Sequence, residues 1–376
     1  MDSESYLLLF LFACILNYSS LNPNFESMQL KFYKVLLKKR FPLAISRGVR
    51  GDAYNLFLSI EKDGIIGWGE AAPGKNENAG SVEEVESQLN ILISEGIENK
   101  TTQEINKTAR AMGIAPCATA ALDMAIWDWK AKNKNLPLHQ FLDFPPPSVP
   151  TSITIGINQP EVVKERIPLM FEDSTIKALK VKLGAPQGIE ADQEMFTQVL
   201  ESTQKYGIKI RVDANGGWST SEAIFMMKWL SDRGVDYIEQ PIKEGEEQDL
   251  KYLYHNRPLP IYIDESCRFS EDVAKWAEYI DGVNMKLMKC GGITEALKII
   301  QLAKQHKLKT MIGCMSESSV AIAAAASISG VIDHVDLDSH YNLNPDPSSG
   351  VKMIDGVTIP DFVPGHGGIL KPQYYA

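Results

Sequence analysis

The stretches IRVDAN (210–215), DYIEQP (236–241) and IYIDES (261–266) decide the fold. In each of them an apolar, strand-like run ends on a carboxylate, which is Asp213, Glu239 or Asp264. Successive acids are 26 and 25 residues apart, the length of one strand, one helix and their connections. Because parallel strands end on the same rim of a sheet, the pattern predicts that the three carboxylates share the C-terminal rim of a barrel.

The alternation of strands and helices extends to both sides of this region. Short apolar strands spaced by roughly 25 residues follow residue 150, with helical segments after most of them. We predict eight strands, at 151–157, 178–183, 208–212, 237–239, 261–264, 282–287, 310–313 and 334–337. This number indicates a (β/α)8-type barrel rather than an open doubly wound sheet, and no glycine-rich phosphate motif follows the first strand.

Residues 28–150 have a different pattern. Alternating residues at 29–37 and 54–60, and a tight turn at 62–64, predict an antiparallel sheet. Helical periodicity over 81–140 then ends at the proline-rich stretch FPPPSVP (144–150), because proline cannot continue a helix. We expect an α+β capping domain over 28–150, joined by a tail at 340–376, and a catalytic barrel over 151–339.

Composition excludes several classes of protein. A chain of 376 residues is long enough for two domains. A composition with 44% hydrophobic and 23% charged residues excludes wholesale disorder. The net charge of −10 argues against a nucleic-acid partner. The five scattered cysteines contain no CxxC pair, which favours a reducing compartment and a cytoplasmic location.

The N terminus carries the apolar run YLLLFLFACIL (6–16). It has the length of a signal-peptide core and is too short to span a bilayer, but Asp2 and Glu4 precede it instead of positive charges. Residues 1–27 can therefore be a dispensable extension, an atypical targeting segment or a structured helix. We favour the extension, because Met28 directly precedes the first predicted strand, and we expect no membrane partner.

Three carboxylates that converge on one rim would repel one another unless a cation lay between them. Ligand sets made only of oxygen suit Mg²⁺. The alternative is that each acid is solvated or paired with a helix cation. Since three acids lie in register, we predict one Mg²⁺ ion bound by Asp213, Glu239 and Asp264.

Lysines accompany the acids on the predicted strands. Lys180 and Lys182 alternate on LKVKLG (179–184), so both point into the barrel, and Lys286 ends the sixth strand nearly opposite. Proximity to Mg²⁺ and to a second ammonium would lower the pKa of such a lysine toward the range of a general base. A single inward lysine could be a structural ion pair. The opposed set instead favours removal of a proton beside a carboxylate from one face and its return on the other, which inverts a stereocentre.

From about Met28 to the C terminus the sequence resembles the enolase superfamily, in particular the dipeptide epimerases of its muconate-lactonizing subgroup. Besides the acids and lysines already named, the similarity rests on motifs at 67–73 (GWGEAAP), 137–142 (PLHQFL), 213–218 (DANGGW), 284–292 (NMKLMKCGG), 313–318 (GCMSES) and 336–338 (DLD). The resemblance implies a modified (β/α)7β barrel with a capping domain built from both ends of the chain.

The resemblance also implies a role for each residue. Lys182 and Lys286 would be the acid/base catalysts, Lys180 would stabilise the enediolate, and the three acids would ligate Mg²⁺. Asp336 and Asp338 would bind the α-ammonium of a dipeptide substrate. Further residues would line or support the pocket: Thr154, Cys314, Ser316 and, behind it, Glu317.

Arg47 lies in the cap loop SRGVRGD (46–52). It falls about where L-Ala-D/L-Glu epimerases place an arginine against the side-chain carboxylate of the substrate. A solvated cationic loop is the alternative, and the nearby Asp52 could instead favour a neutral or cationic side chain.

The expected activity is Mg²⁺-dependent epimerisation of a dipeptide, of the L-Ala-D/L-Glu type or a related one, in a monomer or a homo-oligomer. A muconate-type cycloisomerase or o-succinylbenzoate synthase of the same subgroup is the nearest alternative. A non-catalytic binding module is an alternative of a different class. Acid-sugar dehydration is disfavoured, because the sixth strand carries Lys286 and the seventh has no histidine.

Overall fold

The capping region begins with a three-stranded antiparallel sheet in a computed structural model of the protein, which describes residues 28–74, 77–172 and 175–375. The strands in chain order are β1 (Gln29–Leu37), β2 (Leu43–Ile45), β3 (Gly48–Arg50), β4 (Ala53–Lys62) and β5 (Ile65–Ala71). In the sheet β4 lies between β1 and β5, and β2 pairs with β3 in a separate hairpin.

Helices cover one face of this sheet. A long helix, α3 (Pro116–Asn133), packs against β5 so closely that only glycine fits at two positions of the strand. A Cβ atom on Gly69 would lie 1.9 Å from the carbonyl oxygen of Ala121, and one on Gly67 would lie 2.2 Å from that of Ala125. The cap helices are α1 (Val82–Ser94), α2 (Thr102–Ala111), α3 (Pro116–Asn133) and α4 (Leu138–Phe141).

The second part of the chain forms an eight-stranded parallel sheet in sequence order. A bridge between Thr151 and Val335 joins its first and last strands and closes the barrel. The strands are β6 (Ser152–Ile155), β7 (Ala178–Lys182), β8 (Lys209–Asp213), β9 (Ile238–Glu239), β10 (Ile261–Ile263), β11 (Gly282–Lys286), β12 (Lys309–Gly313) and β13 (His334–Asp336). All eight predicted strands are found, with shorter bounds at several ends.

Each of the first seven barrel strands is followed by a helix, whereas a 3₁₀ turn and the tail follow β13. The (β/α)7β prediction is therefore confirmed. The helices are α5 (Pro160–Met170), α6 (Ile189–Thr203), α7 (Thr220–Ser231), α8 (Leu250–Asn256), α9 (Ser270–Trp276), α10 (Leu287–Cys290), α11 (Ile293–Gln305) and α12 (Ser319–Ser327).

The tail contacts both parts of the molecule. The backbone of Gly356 accepts a hydrogen bond from Thr151 beside the barrel, and that of Gly365 accepts one from Leu138 in the cap. Its strands are β14 (Ser348–Ser349), β15 (Val351–Ile354), β16 (Val357–Pro360) and β17 (Ile369–Leu370). The boundaries at residues 150 and 340 stay a prediction.

The β2–β3 hairpin lies at the mouth of the barrel. The carbonyl of Ala44 accepts a hydrogen bond from the backbone of Ile157, after β6, at 2.8 Å. The hydroxyl of Ser46 donates to the carbonyl of Asn215, after β8, also at 2.8 Å. The hairpin is thus attached to two barrel loops and carries Arg47 over the mouth.

The predictions for residues 1–27, including the apolar run at 6–16, lie outside the described residues. In the part of the chain that the structure describes, no helix has both the length and the apolar composition that crossing a bilayer requires.

Replacing Gly69 with alanine should destabilise the protein by about 3 kcal/mol, because the added methyl group collides with the backbone of α3. Urea unfolding would measure the change. Gly51→Ala is the matched control, since a Cβ there would meet nothing within 4 Å. An equal loss in both variants would contradict the close approach of β5 and α3.

Candidate active site

Three carboxylates meet at the C-terminal rim of the barrel. Asp213 and Glu239 end the neighbouring strands β8 and β9 and are paired in register, while Asp264 directly follows β10. Each residue offers an oxygen, and these oxygens lie within 4.8 Å of one another. All three side chains are buried, so water screens their mutual repulsion poorly.

The chemistry of this carboxylate group fits a divalent cation. Burial, together with the charges of Asp213 and Asp264, raises the pKa of Glu239 to about 8. A cation between the carboxylates would remove the repulsion that makes ionisation of Glu239 unfavourable. Because the ligands are all oxygens, the set suits Mg²⁺.

Two lysines reach this group from opposite sides. Lys182 on β7 and Lys286 on β11 are four strands apart in the ring of eight. The Nζ atom of Lys182 lies 2.5 Å from Asp213 Oδ2, and that of Lys286 lies 2.6 Å from Asp264 Oδ2. Each amine therefore approaches a different carboxylate, one on each flank.

Lys180 is fully buried between the two flanks. Its Nζ atom lies 2.6 Å from Glu239 Oε2 and 2.7 Å from Asp336 Oδ2. These contacts connect the carboxylate group to the eighth strand of the barrel.

In the protein alone the pKa values of two lysines are raised, whereas the lowered pKa expected from the sequence applies to the site with Mg²⁺ bound. Burial by itself would lower the pKa of Lys286, but Asp264, Glu265 and Glu239 outweigh it and raise the pKa. For Lys180 burial likewise acts downward, and Asp336, Glu239 and Asp213 raise the pKa well above its usual value. In the protein alone these lysines are therefore held as ammonium ions by the neighbouring carboxylates.

A cavity of about 880 Å³ opens above the acids and lysines. Lys182, Lys286 and Asp264 reach its surface, whereas Lys180, Asp213 and Glu239 are fully buried beneath it. The cavity extends outward to the β2–β3 hairpin. It can therefore hold a small molecule with one end against the carboxylate group and the other against the cap.

The residues predicted to bind an ammonium group lie together on one wall. Asp338 Oδ2 accepts a hydrogen bond from the backbone of Thr154 at 2.7 Å. The Sγ atom of Cys314 donates to the carbonyl of Asp336 at 3.3 Å. Burial, together with the charge of Asp336, raises the pKa of Asp338 to about 7.

The loop after β12 holds the remaining predicted residues. Ser316 Oγ lines the cavity and accepts a hydrogen bond from Lys39 Nζ at 2.7 Å. Glu317 is buried behind the loop, where its carboxylate accepts a hydrogen bond from the backbone of Met315 at 2.6 Å. Burial raises the pKa of Glu317 to about 8.

Arg47 also lines the cavity, but its charge already has a partner. Its guanidinium forms an ion pair with Glu265 and donates from Nη1 to the carbonyl of Asn215 at 2.8 Å. All predicted site residues thus border the cavity or lie directly behind it. Their catalytic and binding roles stay predictions.

Sequence reasoning missed three charged residues of the site. Lys289 is buried and places its Nζ atom 2.7 Å from Asp264 Oδ1 and 2.9 Å from the carbonyl of Asn284. Glu265 directly follows Asp264, which was the only signal for it. Lys39 comes from the distant cap, and burial lowers its pKa to about 8.

Family models account for most of the chain. Residues 27–143 match the mandelate racemase / muconate lactonizing enzyme N-terminal domain, and residues 163–373 match the enolase C-terminal domain-like family. The chain therefore belongs to the mandelate racemase / muconate lactonizing enzyme family of the enolase superfamily. The resemblance read from the motifs is confirmed, and so is the fold that it implied.

Curated relatives are similar along nearly the whole chain. A protein named hydrophobic dipeptide epimerase from Flavobacteria bacterium (strain MS024-2A) is 62% identical over 349 residues, covering 93% of this chain and all of the relative. A protein of the same name from Roseobacter litoralis is 50% identical, covering 92% of this chain and 99% of the relative.

Solved structures share the fold. The Enterococcus faecalis V583 dipeptide epimerase, complexed with Mg and L-Leu-L-Tyr, superposes with a TM-score of 0.83 at 29% identity, covering 92% of this chain and 99% of that one. A substrate-liganded L-Ala-D/L-Glu epimerase from Bacillus subtilis gives a TM-score of 0.85 at 26% identity, covering 91% and 98%.

Replacing Glu239 with glutamine should weaken Mg²⁺ binding more than about 100-fold, since even indirect partners of a bound metal change its affinity 10–100-fold. Isothermal titration of the metal-free protein with Mg²⁺ would measure the affinity. Glu244→Gln removes a carboxylate from the same cavity and should leave the affinity unchanged. Wild-type affinity in Glu239→Gln would contradict the assignment of Glu239 as a metal ligand.

Proposed function

We propose that this protein is a Mg²⁺-dependent dipeptide epimerase that inverts the α-carbon of the C-terminal residue. The observation that carries the proposal is the placement of Lys182 and Lys286 on opposite flanks of one buried carboxylate group. The names of the 62% and 50% identical relatives support hydrophobic dipeptides as the substrates.

In this mechanism Asp213, Glu239 and Asp264 would hold Mg²⁺. The bound ion supplies positive charge that stabilises the substrate carboxylate while the neighbouring α-proton is removed. These three residues are buried at the base of the cavity, so a substrate enters with its carboxylate foremost. That orientation places the α-carbon between the two flanking lysines.

Lys182 and Lys286 act as the acid/base pair. For one stereoisomer the amine of Lys182 takes the α-proton and the ammonium of Lys286 delivers a proton to the opposite face. For the other stereoisomer the roles are exchanged. Lys180 is fully buried, so it stabilises the developing negative charge electrostatically instead of exchanging protons with solvent.

The dipeptide's α-ammonium binds to Asp336 and Asp338. Charge-assisted hydrogen bonds to an ammonium are among the stronger polar interactions in proteins. Thr154 and Cys314 orient this acidic pair through the contacts described above, and Ser316 also lines the cavity. The acidic pair disfavours the purely anionic substrates of cycloisomerases and o-succinylbenzoate synthases.

The proposal also covers the cellular location and the oligomeric state of the protein. We propose a cytoplasmic location, which the free cysteines Cys117, Cys267, Cys290 and Cys314 support. We also propose that the protein can form a homo-oligomer.

Replacing either flanking lysine with alanine should abolish epimerisation, because one face of the α-carbon then lacks its proton donor or acceptor. Each variant should still exchange the α-proton of one stereoisomer for deuterium in D₂O, and the two variants should differ in which stereoisomer exchanges. Mass spectrometry of L-Ala-L-Phe and L-Ala-D-Phe would follow the exchange. Lys243→Ala, which changes another lysine of the cavity, should keep activity. Equal loss of exchange from both stereoisomers in both variants would contradict the assignment of one base to each face.

The pH profile should show the ionisation of Asp338. Because its pKa is raised to about 7, Asp338 is neutral below that pH and cannot pair with a substrate ammonium. We therefore expect kcat/KM to fall as pH falls through about 7, and the fall to disappear from the residual activity of Asp338→Asn. A wild-type profile that stays flat between about pH 6 and pH 8 would contradict the role of Asp338.

A further inference from the structure

An arginine–glutamate pair lies at the outer end of the cavity. Arg47 belongs to the turn between β2 and β3, and Glu265 follows β10, so the pair joins the cap to the barrel. The carbonyl of Asn215 accepts hydrogen bonds from both Arg47 Nη1 and the hydroxyl of the preceding Ser46, each at 2.8 Å. The guanidinium is therefore held in one position.

Each member of this pair masks the charge of the other. Only 13% of the Glu265 side chain is exposed, and its second oxygen, Oε2, is buried without a hydrogen-bond partner among the described residues. Arg47 is thus the direct counter-charge of this carboxylate. Conversely, the guanidinium of Arg47 is already occupied by Glu265.

We propose, on the basis of the proposed function, that the Arg47–Glu265 pair restricts the second residue of the dipeptide to uncharged side chains. One of the two alternatives for Arg47 is that it receives an acidic side chain of the substrate. To do so it would have to leave Glu265, whose carboxylate would then remain buried without a counter-charge. A cationic side chain would have to displace Arg47 from Glu265 in the same way.

The physical cost of either displacement is large compared with the gain. Removing Arg47 from the largely buried carboxylate of Glu265 costs more than forming a comparable exposed ion pair returns, because the carboxylate is left desolvated. In contrast, Leu43, Ile45 and Val49 on the same hairpin line the cavity and offer an apolar surface.

Each member of the pair would therefore bind an oppositely charged side chain of the substrate if the other member were absent. Without Arg47, the carboxylate of Glu265 would be free to bind a lysine or arginine side chain of the substrate. Without the charge of Glu265, the guanidinium of Arg47 would be free to bind an acidic side chain. Removing both would remove the two charges available for a substrate side chain at this end of the cavity, so neither specificity would appear.

Three variants test this inference: Arg47→Leu, Glu265→Gln and the double variant. The measured quantities are kcat/KM for L-Ala-L-Lys and L-Ala-L-Glu, each divided by kcat/KM for L-Ala-L-Phe in the same variant. We expect Arg47→Leu to raise the lysine ratio about tenfold or more, and Glu265→Gln to raise the glutamate ratio by a similar factor. The double variant should show neither gain.

Thermal unfolding followed by circular dichroism identifies any variant that fails to fold. Arg47→Lys keeps a cation beside Glu265 and should keep the wild-type ratios. If Glu265→Gln does not fold or loses Mg²⁺, the comparison of Arg47→Leu with Arg47→Lys decides the question. Unchanged ratios in folded Arg47→Leu, or an equal gain in the double variant, would overturn the inference.

Failure of the proposed function would look different. In that case wild-type protein with Mg²⁺ would neither epimerise L-Ala-L-Phe nor exchange its α-proton. Turnover of L-Ala-L-Phe by the wild type, together with unchanged ratios in the variants, would retain the epimerase and reject the role of the pair.

Discussion

The balance of charge inside the barrel mouth is the constraint on which the rest of the structure depends. Buried or nearly buried lysines contact every carboxylate of the cluster formed by Asp213, Glu239, Asp264 and Asp336. An unpaired buried charge costs several kcal/mol, so these groups can be buried only together. A divalent cation bound by the acids would compete with the lysines for the same oxygens. The ion pairs seen in the protein alone therefore describe a site whose charges are balanced before substrate and metal bind.

Parallel strands explain how such a cluster forms at all. Adjacent strands in register place Lys182, Asp213 and Glu239 side by side at one rim, although they come from separate parts of the sequence. The cap then secures the rim. Glu70 on β5 accepts hydrogen bonds from Asn55 and from Ser318 at the start of α12, and Asn55 also donates to the carbonyl of Ser316. The loop after β12 is therefore held by the cap as well as by the barrel.

The sequence predicts those parts of the site whose position follows from local pattern. The strand ends at Asp213, Glu239 and Asp264, and the alternation of Lys180 and Lys182, depend only on strand period and chain order. The contacts of Lys289 and Glu265 cannot be predicted from strand period, because they depend on which loops meet after the barrel closes. For the same reason the raised pKa of Lys286 in the protein alone was not predicted: its sign is set by the number of carboxylates within reach, which strand alternation does not give.

The residues proposed for proton transfer and the residues proposed for substrate specificity differ in their solvent exposure. Lys180 and the three acids are fully or almost fully buried, so a change to any of them disturbs a network in which each charge has several partners. The Arg47 side chain is 37% exposed and lies on a hairpin that contacts the barrel at its rim. A substitution there changes one pair and leaves the buried network in place. The fold can therefore vary the side chain that it accepts while it keeps the same proton-transfer machinery, since the two functions depend on different sets of charges.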